Sequence, residues 1–156
     1  MLWLNDLFNI NIIKIDRHLH FEKVLHPDDL ELHIFTDASY DIIAGCAYIR
    51  VKNNINAKGE KENKNVMFFT NLVLAKAKVA PKIKVESIAR LELAACVIGS
   101  RLSNTVSIAF GIKEESIYHW TDSKDCLYWI NTPACFAKTY VATRVGEIQN
   151  RTKINS

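Results

Sequence analysis

The chain has 156 residues, 49% hydrophobic and 24% charged, enough for one domain with a real core and too apolar for wholesale disorder. A formal net charge of +3 singles out no partner class. The opening run MLWLNDLFNINIIKIDRH is broken by Asn5, Asp6 and Lys14, so no signal peptide is expected. No stretch reads as the roughly 20 apolar residues of a membrane span. The expectation is a soluble, intracellular protein with no membrane partner.

Residues 1–30 are mixed in character, and Pro27 with Asp28 and Asp29 marks a boundary, so they are expected to form a connection segment before a domain over 31–156. From Leu32 to Asp37, Leu32, Ile34 and Thr36 alternate with His33, Phe35 and Asp37, the period of a strand. A second strand is expected over Ala44–Val51, joined by a connection too short for anything but a hairpin. Residues 52–65 are rich in Asn and Lys and read as a loop, and Val66–Ala75 reads as a third strand. After Pro81, Ser87 is a candidate N-cap for a helix whose buried face is Leu91, Ala94 or Ala95, Ile98 and Leu102, with Gly111 closing it. Ser116–Thr121 reads as a short aromatic strand. Asp122-Ser123 opens a second helix stopped by Asn131 and Pro133, and a third is expected from Ala137 to Arg151. The order βββαβα(α) describes an α/β layer fold with a mixed sheet.

Charge is unevenly distributed. Between Arg50 and Arg90 there are ten basic residues against Glu60, Glu62 and Glu86, a local +7 that leaves −4 for the remainder. Such a stretch is either a solvated face or a surface that tracks phosphates. The four cysteines, Cys46, Cys96, Cys126 and Cys135, contain no C-x-x-C pair, and His18, His20, His26, His33 and His119 do not stand at ligand spacing. They read as reduced, buried small hydrophobes, not a zinc site.

Three carboxylates stand where solvation explains them least. Asp37 ends an otherwise apolar strand, Asp122 ends the strand after the long helix, and Glu92 lies among small and apolar helix residues. Each has an ordinary alternative: Asp37 as a turn cap, Asp122 as an N-cap, Glu92 as an ion partner of Arg90 or Arg101. If the two strands are neighbours, both aspartates gather at the edge where α/β folds collect ligands. Oxygen donors without His or Cys suit Mg²⁺ or Mn²⁺, and a pair of such ions can clamp a phosphodiester.

These residues carry a resemblance. Leu32–Ser39 with Ala44–Tyr48, Ala75–Pro81, Ile88–Ala95, Trp120–Ser123 with Tyr128–Ile130, and Phe136–Gln149 resemble the ribonuclease H domain of BEL/Pao retroelement pol polyproteins. Ala89 departs from that family's usual proline, and Asn11–Arg17 is similar to the family's lead-in after the polymerase. The resemblance implies a ribonuclease H-like three-layer α/β fold, with three antiparallel strands and then a strand parallel to the first. It further implies a two-metal Mg²⁺ site and hydrolysis of the RNA strand of RNA–DNA hybrids, beside the reverse transcriptase domain of the same polyprotein. By position, Asp37 would bridge both ions, and Glu92 and Asp122 would complete one of them. The family's fourth carboxylate follows in a last strand and helix, and the sequence ends at Ser156 before such a segment. One ligand and one strand are therefore expected to be missing. Ser39 and Asn71 are candidate contacts to RNA, and Lys76, Lys78 and Arg90 are candidate phosphate binders.

Three other readings remain. An aspartic peptidase needs Asp, Ser or Thr, then Gly, and Asp37-Ala38-Ser39 lacks the glycine. A transposase or integrase core of the same fold carries its glutamate last, whereas Glu92 lies between the aspartates. A catalytically inactive retroelement relic, or a module that only binds nucleic acid, fits the sequence as well as a working nuclease does.

Overall fold

The structure, a computed structural model, describes residues 27–53, 67–82 and 86–152. The lead-in Asn11–Arg17 and nearly all of the Asn- and Lys-rich stretch expected as a loop lie outside the described residues. After a 3-10 turn at Pro27–Asp29, β1 (Leu30–Ala38), β2 (Ile42–Asn53) and β3 (Met67–Val79) pair antiparallel. Helix α1 (Ile88–Phe110) then crosses to β4 (Ile117–Trp120), which lies parallel to β1, followed by α2 (Lys124–Ile130) and α3 (Thr139–Arg151). The sheet order β3-β2-β1-β4 is the mixed arrangement expected, three antiparallel strands and one parallel. β3 runs four residues past the expected end at Ala75, carried by a continuous ladder from Ala75↔Cys46 to Val79↔Ile42.

Strand alternation decides the faces. Leu30, Leu32 and Ile34 of β1 and Ile43, Ala47, Ile49 and Val51 of β2 are buried, and they meet Leu91, Ala95, Ile98, Leu102 and Val106 of α1. A second cluster joins Leu93, Cys96 and Val97 of α1 to Cys126 of α2 and to Val141, Val145 and Ile148 of α3. Helix α1 therefore buries two stripes, one on the sheet and one on the later helices. By length and composition it is apolar enough to cross a membrane, which corrects the expectation that no segment comes close. Its apolarity is accounted for by the eleven residues it buries inside the fold.

The helix can lie this close to the sheet because of Gly99. A Cβ there would come within 2.5 Å of Thr36 Cγ2 and 3.1 Å of Ile34 Cγ2. Gly111 ends α1 in the left-handed region at φ 65°, where a side chain would be strained. Ser87 occupies the expected N-cap position, but its hydroxyl makes no capping bond; its carbonyl accepts from the Arg90 and Leu91 amides.

Outside the second cluster, the Arg101 guanidinium donates twice to the Glu147 carboxylate, at 2.7 and 2.9 Å, and Arg151 joins at 3.2 Å. The Arg101 bond holds the Glu147 carboxyl below its ordinary pKa. A depressed carboxylate stabilises the fold above its unfolded pKa and ceases to do so as pH falls through the folded value.

Two measurements follow. Gly99→Ala should lower unfolding free energy by about 1–3 kcal/mol through overpacking. Gly146→Ala, whose Cβ would sit 3.9 Å from Ala134, should be neutral or slightly stabilising in the same denaturant titration. Glu147→Gln should cost about 1 kcal/mol or less at neutral pH, since the pair is partly exposed, and the difference from the parent should vanish on acidification below the carboxylate range.

Candidate active site

The parallel register places His33 beside Tyr118 and Phe35 beside Trp120. Asp37 and Asp122 each lie two residues beyond that last pair, so they emerge from the ends of neighbouring strands on the same face. Both line one cavity of about 690 Å³, together with Phe35, Trp120 and Lys76. The order of the strands in space, not in sequence, brings the two aspartates together.

The ordinary explanations for the three acids find other residues in those roles. Helix α2 is capped by Ser123, whose hydroxyl accepts from the Cys126 amide at 3.3 Å, which leaves the exposed Asp122 free of capping. The basic residues nearest Glu92 in sequence are taken: Arg90 bonds Glu86 at 2.8 Å and Arg101 bonds Glu147. Among the described residues Glu92 has no ion pair. Asp37 is exposed, and Oδ1 accepts from the Ala38 amide at 2.7 Å, the only turn-like contact it makes among the described residues. Among the described residues all three carboxylates thus stand without an ion-paired cation.

Glu92 does not line the cavity of the aspartates. Its position comes from Cys96, one turn further along α1, whose thiol lies 3.7 Å from Thr36 Oγ1 and lines a cavity with Thr121. Thr36 and Thr121 immediately precede Asp37 and Asp122. Since α1 runs antiparallel to β1, with Gly99 over Thr36 and Gly111 near Pro27, Glu92 lies toward the same end of the strands as the aspartates. Among the described residues no group of three His, Cys, Asp or Glu side chains is close enough to hold a metal ion. The donor chemistry at the cavity suits a hard cation, with two carboxylates presented and the third on the neighbouring helix face.

The cations distribute unevenly around this edge. Lys76 pairs with Gly45, and Lys78 with Ile43, which itself faces Ala38, so both lysines flank Asp37 two strands away, at about 10 Å. Asn71 pairs with Ile49, opposite Leu32, five residues along β1 and two strands across from Asp37, about 20 Å from it. The structure does not bring Asn71 to the carboxylates. Ser39 shapes the β1–β2 turn, its hydroxyl accepting from the Asp41 and Ile42 amides at 3.2 and 3.1 Å. Arg90 bonds Glu86 and stacks 4.8 Å above the Tyr140 ring, so its charge helps join α1 to α3.

The aromatic floor escaped sequence reasoning. The Phe35 and Trp120 rings lie nearly parallel, with centroids 6.0 Å apart and planes at 12°. The Trp120 indole donates to His33 Nδ1 at 3.2 Å, which leaves the other His33 nitrogen toward Glu31. Glu31 also pairs with Arg50. Strand alternation could have put these rings on one face, but only the β1–β4 pairing makes them adjacent. Among the described residues no element covers that face. The cysteines divide as well: Cys96 and Cys126 are buried as expected, but Cys46 is half-buried and Cys135 exposed, because Cys135 lies in the turn before α3.

Exposed carboxylates without partners contribute little to folding. Asp37→Asn and Asp122→Asn should each change unfolding free energy by no more than about 0.5 kcal/mol. A loss above about 1 kcal/mol in thermal or denaturant melts would assign the side chain a structural role instead.

The sequence profile of the Pao retrotransposon-like RNaseH-like domain matches residues 3–123, a span that contains Asp37, Glu92 and Asp122. No curated protein and no solved structure matches the chain. The match takes in well over half of the sequence, and the sheet has the strand order and directions expected of such a fold: the chain belongs to the Pao retrotransposon-like RNaseH-like domain family.

Proposed function

We propose that this domain hydrolyses the RNA strand of RNA–DNA hybrids with Mg²⁺ or Mn²⁺, using Asp37, Glu92 and Asp122 as the metal-holding carboxylates. The observation that carries the reading is the pair of uncompensated aspartates at the ends of adjacent parallel strands, around one cavity, in a family of RNaseH-like domains. When bound, a divalent ion there supplies positive charge to phosphate oxygens and a water of lowered pKa. Asp37 and Asp122 present their carboxylates at the cavity, and Glu92 adds a third from α1. Lys76 and Lys78 supply cationic contacts for a phosphate backbone on the β3 side. Choice of RNA would require contacts to 2′-hydroxyls, for which Ser39 is the nearest candidate beside Asp37. In a longer polyprotein the natural supplier of the hybrid is a reverse transcriptase domain.

A second reading is a nucleic-acid-binding module without catalysis. It is favoured by one observation, the lack of a three-ligand metal group among the described residues.

The deciding experiment is cleavage of an end-labelled RNA–DNA hybrid with Mg²⁺ or Mn²⁺. Metal-dependent cutting of the RNA strand, reduced at least 100-fold by Asp37→Asn or Asp122→Asn, is the expected result. Retained hybrid binding with no cutting in either metal by the folded parent would establish the second reading.

A further inference from the structure

Where α3 meets α1, two guanidinium groups share one aromatic ring. Arg144 Cζ lies 3.5 Å from the centre of the Tyr140 ring, and Arg90 Cζ lies 4.8 Å from it. The ring is held from both helices: the Tyr140 hydroxyl donates to the Arg90 carbonyl at 3.3 Å, and Arg144 donates to the Tyr140 carbonyl at 3.0 Å. The two positive charges therefore lie inside one screening length of each other, about 10 Å at 0.1 M salt, and dissolved ions do not remove their repulsion. Among the described residues one carboxylate answers them. Glu86 accepts from Arg90 at 2.8 Å, whereas Arg144 has no ion pair. The seam is treated differently further along, where Arg101 and Arg151 converge on the Glu147 carboxylate.

The pair also stands in a telling place. Tyr140 meets Arg90 and Glu147 meets Arg101, so α3 runs along α1 in the same direction. The shared ring thus sits at the N-terminal end of α1, where Arg90 precedes Glu92 by about 3 Å along the helix axis. That is the end at which the aspartates emerge. Lys76 and Lys78 lie on the β3 side of Asp37, and the arginines lie on the α3 side of Glu92. A duplex laid with one phosphodiester on the carboxylates presents further phosphates to both sides.

We propose that Arg144, with Arg90 beside it on the Tyr140 ring, binds a phosphodiester of the RNA–DNA hybrid on the α3 side of the carboxylates. A guanidinium fork matches two phosphate oxygens, and stacking on Tyr140 holds its plane in place, so little side-chain freedom is lost on binding. The phosphate supplies the negative charge that Arg144 lacks among the described residues. This site depends on the nucleic-acid part of the proposed function and not on cleavage.

The test is equilibrium binding of a fluorescently labelled RNA–DNA hybrid by the full chain, read by anisotropy over a range of salt with Ca²⁺ in place of Mg²⁺. Arg144→Gln, shown to be folded by circular dichroism, should bind about fivefold to tenfold more weakly. Its slope of log affinity against log salt should be shallower by about 1, which a merely structural role would not produce. Lys113→Gln, which removes the same charge beside Asp28 beyond the far end of α1, should bind as the parent does. Parental affinity and slope in a folded Arg144→Gln, from a parent that binds and cuts the hybrid, would overturn the site and leave the nuclease reading standing. A parent that binds without cutting, and is weakened by Arg144→Gln, would support the site and remove the nuclease reading. A parent that binds no hybrid overturns both. If Arg144→Gln does not fold, Arg144→Lys decides, since it keeps the charge and loses the fork: a severalfold loss of affinity supports the site, and parental affinity overturns it.

Discussion

The approach of α1 to β1 at Gly99 is the constraint on which the rest depends. Without a side chain at that position the helix axis can lie low over Ile34 and Thr36, and the apolar stripe from Leu91 to Val106 reaches the sheet. The same closeness brings Cys96 within 3.7 Å of Thr36 Oγ1, next to Asp37 in the chain. The opposite stripe of α1 then becomes the seat for α2 and α3. One glycine therefore links the core, the second cluster and the strand that carries Asp37. Overpacking at such a contact is transmitted because protein interiors have little free volume.

Ion pairs mark several of the charges that hold elements together. Glu147, Glu86, Asp41 and Glu31 each have a cation in contact, and all four lie where two elements are joined. Asp37, Glu92 and Asp122 have none among the described residues, although Lys76 and Lys78 stand on β3 two strands from Asp37. Asp29, Glu115 and Asp125 likewise show no ion pair among the described residues, so it is the gathering of Asp37 and Asp122 around one cavity that sets them apart. The cost of holding like charges near one edge is small while they are hydrated and is removed when a cation or a phosphate-bound ion arrives.

Much of this was legible in the sequence, and the parts that were not share a cause. Period-2 alternation located β1, period 3.6 located the buried face of α1, and Gly111 located its end, because each depends on neighbours close in the chain. The family resemblance supplied the β1–β4 adjacency that made Asp37 and Asp122 partners, and no local pattern could have done so. The separation of Asn71 from Asp37 depends on the β2–β3 register, which includes a shift at Ala47/Tyr48 and which no local pattern reveals. The Phe35–Trp120 floor and the engagement of Arg90 by Glu86 and Tyr140 are tertiary facts of the same kind. Helix α1 was not recognised as apolar enough for a membrane because Glu92, Arg90 and Arg101 interrupt it to the eye; its buried share explains the composition.

The central claim is that Asp37, Glu92 and Asp122 act on one divalent cation. Titration of isotopically labelled protein with Mn²⁺, read by paramagnetic broadening of amide resonances, tests it most directly. The account predicts saturable broadening centred on residues 36–38, 121–123 and the first turns of α1 around Glu92, abolished together by Asp37→Asn. Broadening that follows other surface acids such as Glu114 and Glu115, or that persists unchanged in the variant, would contradict it.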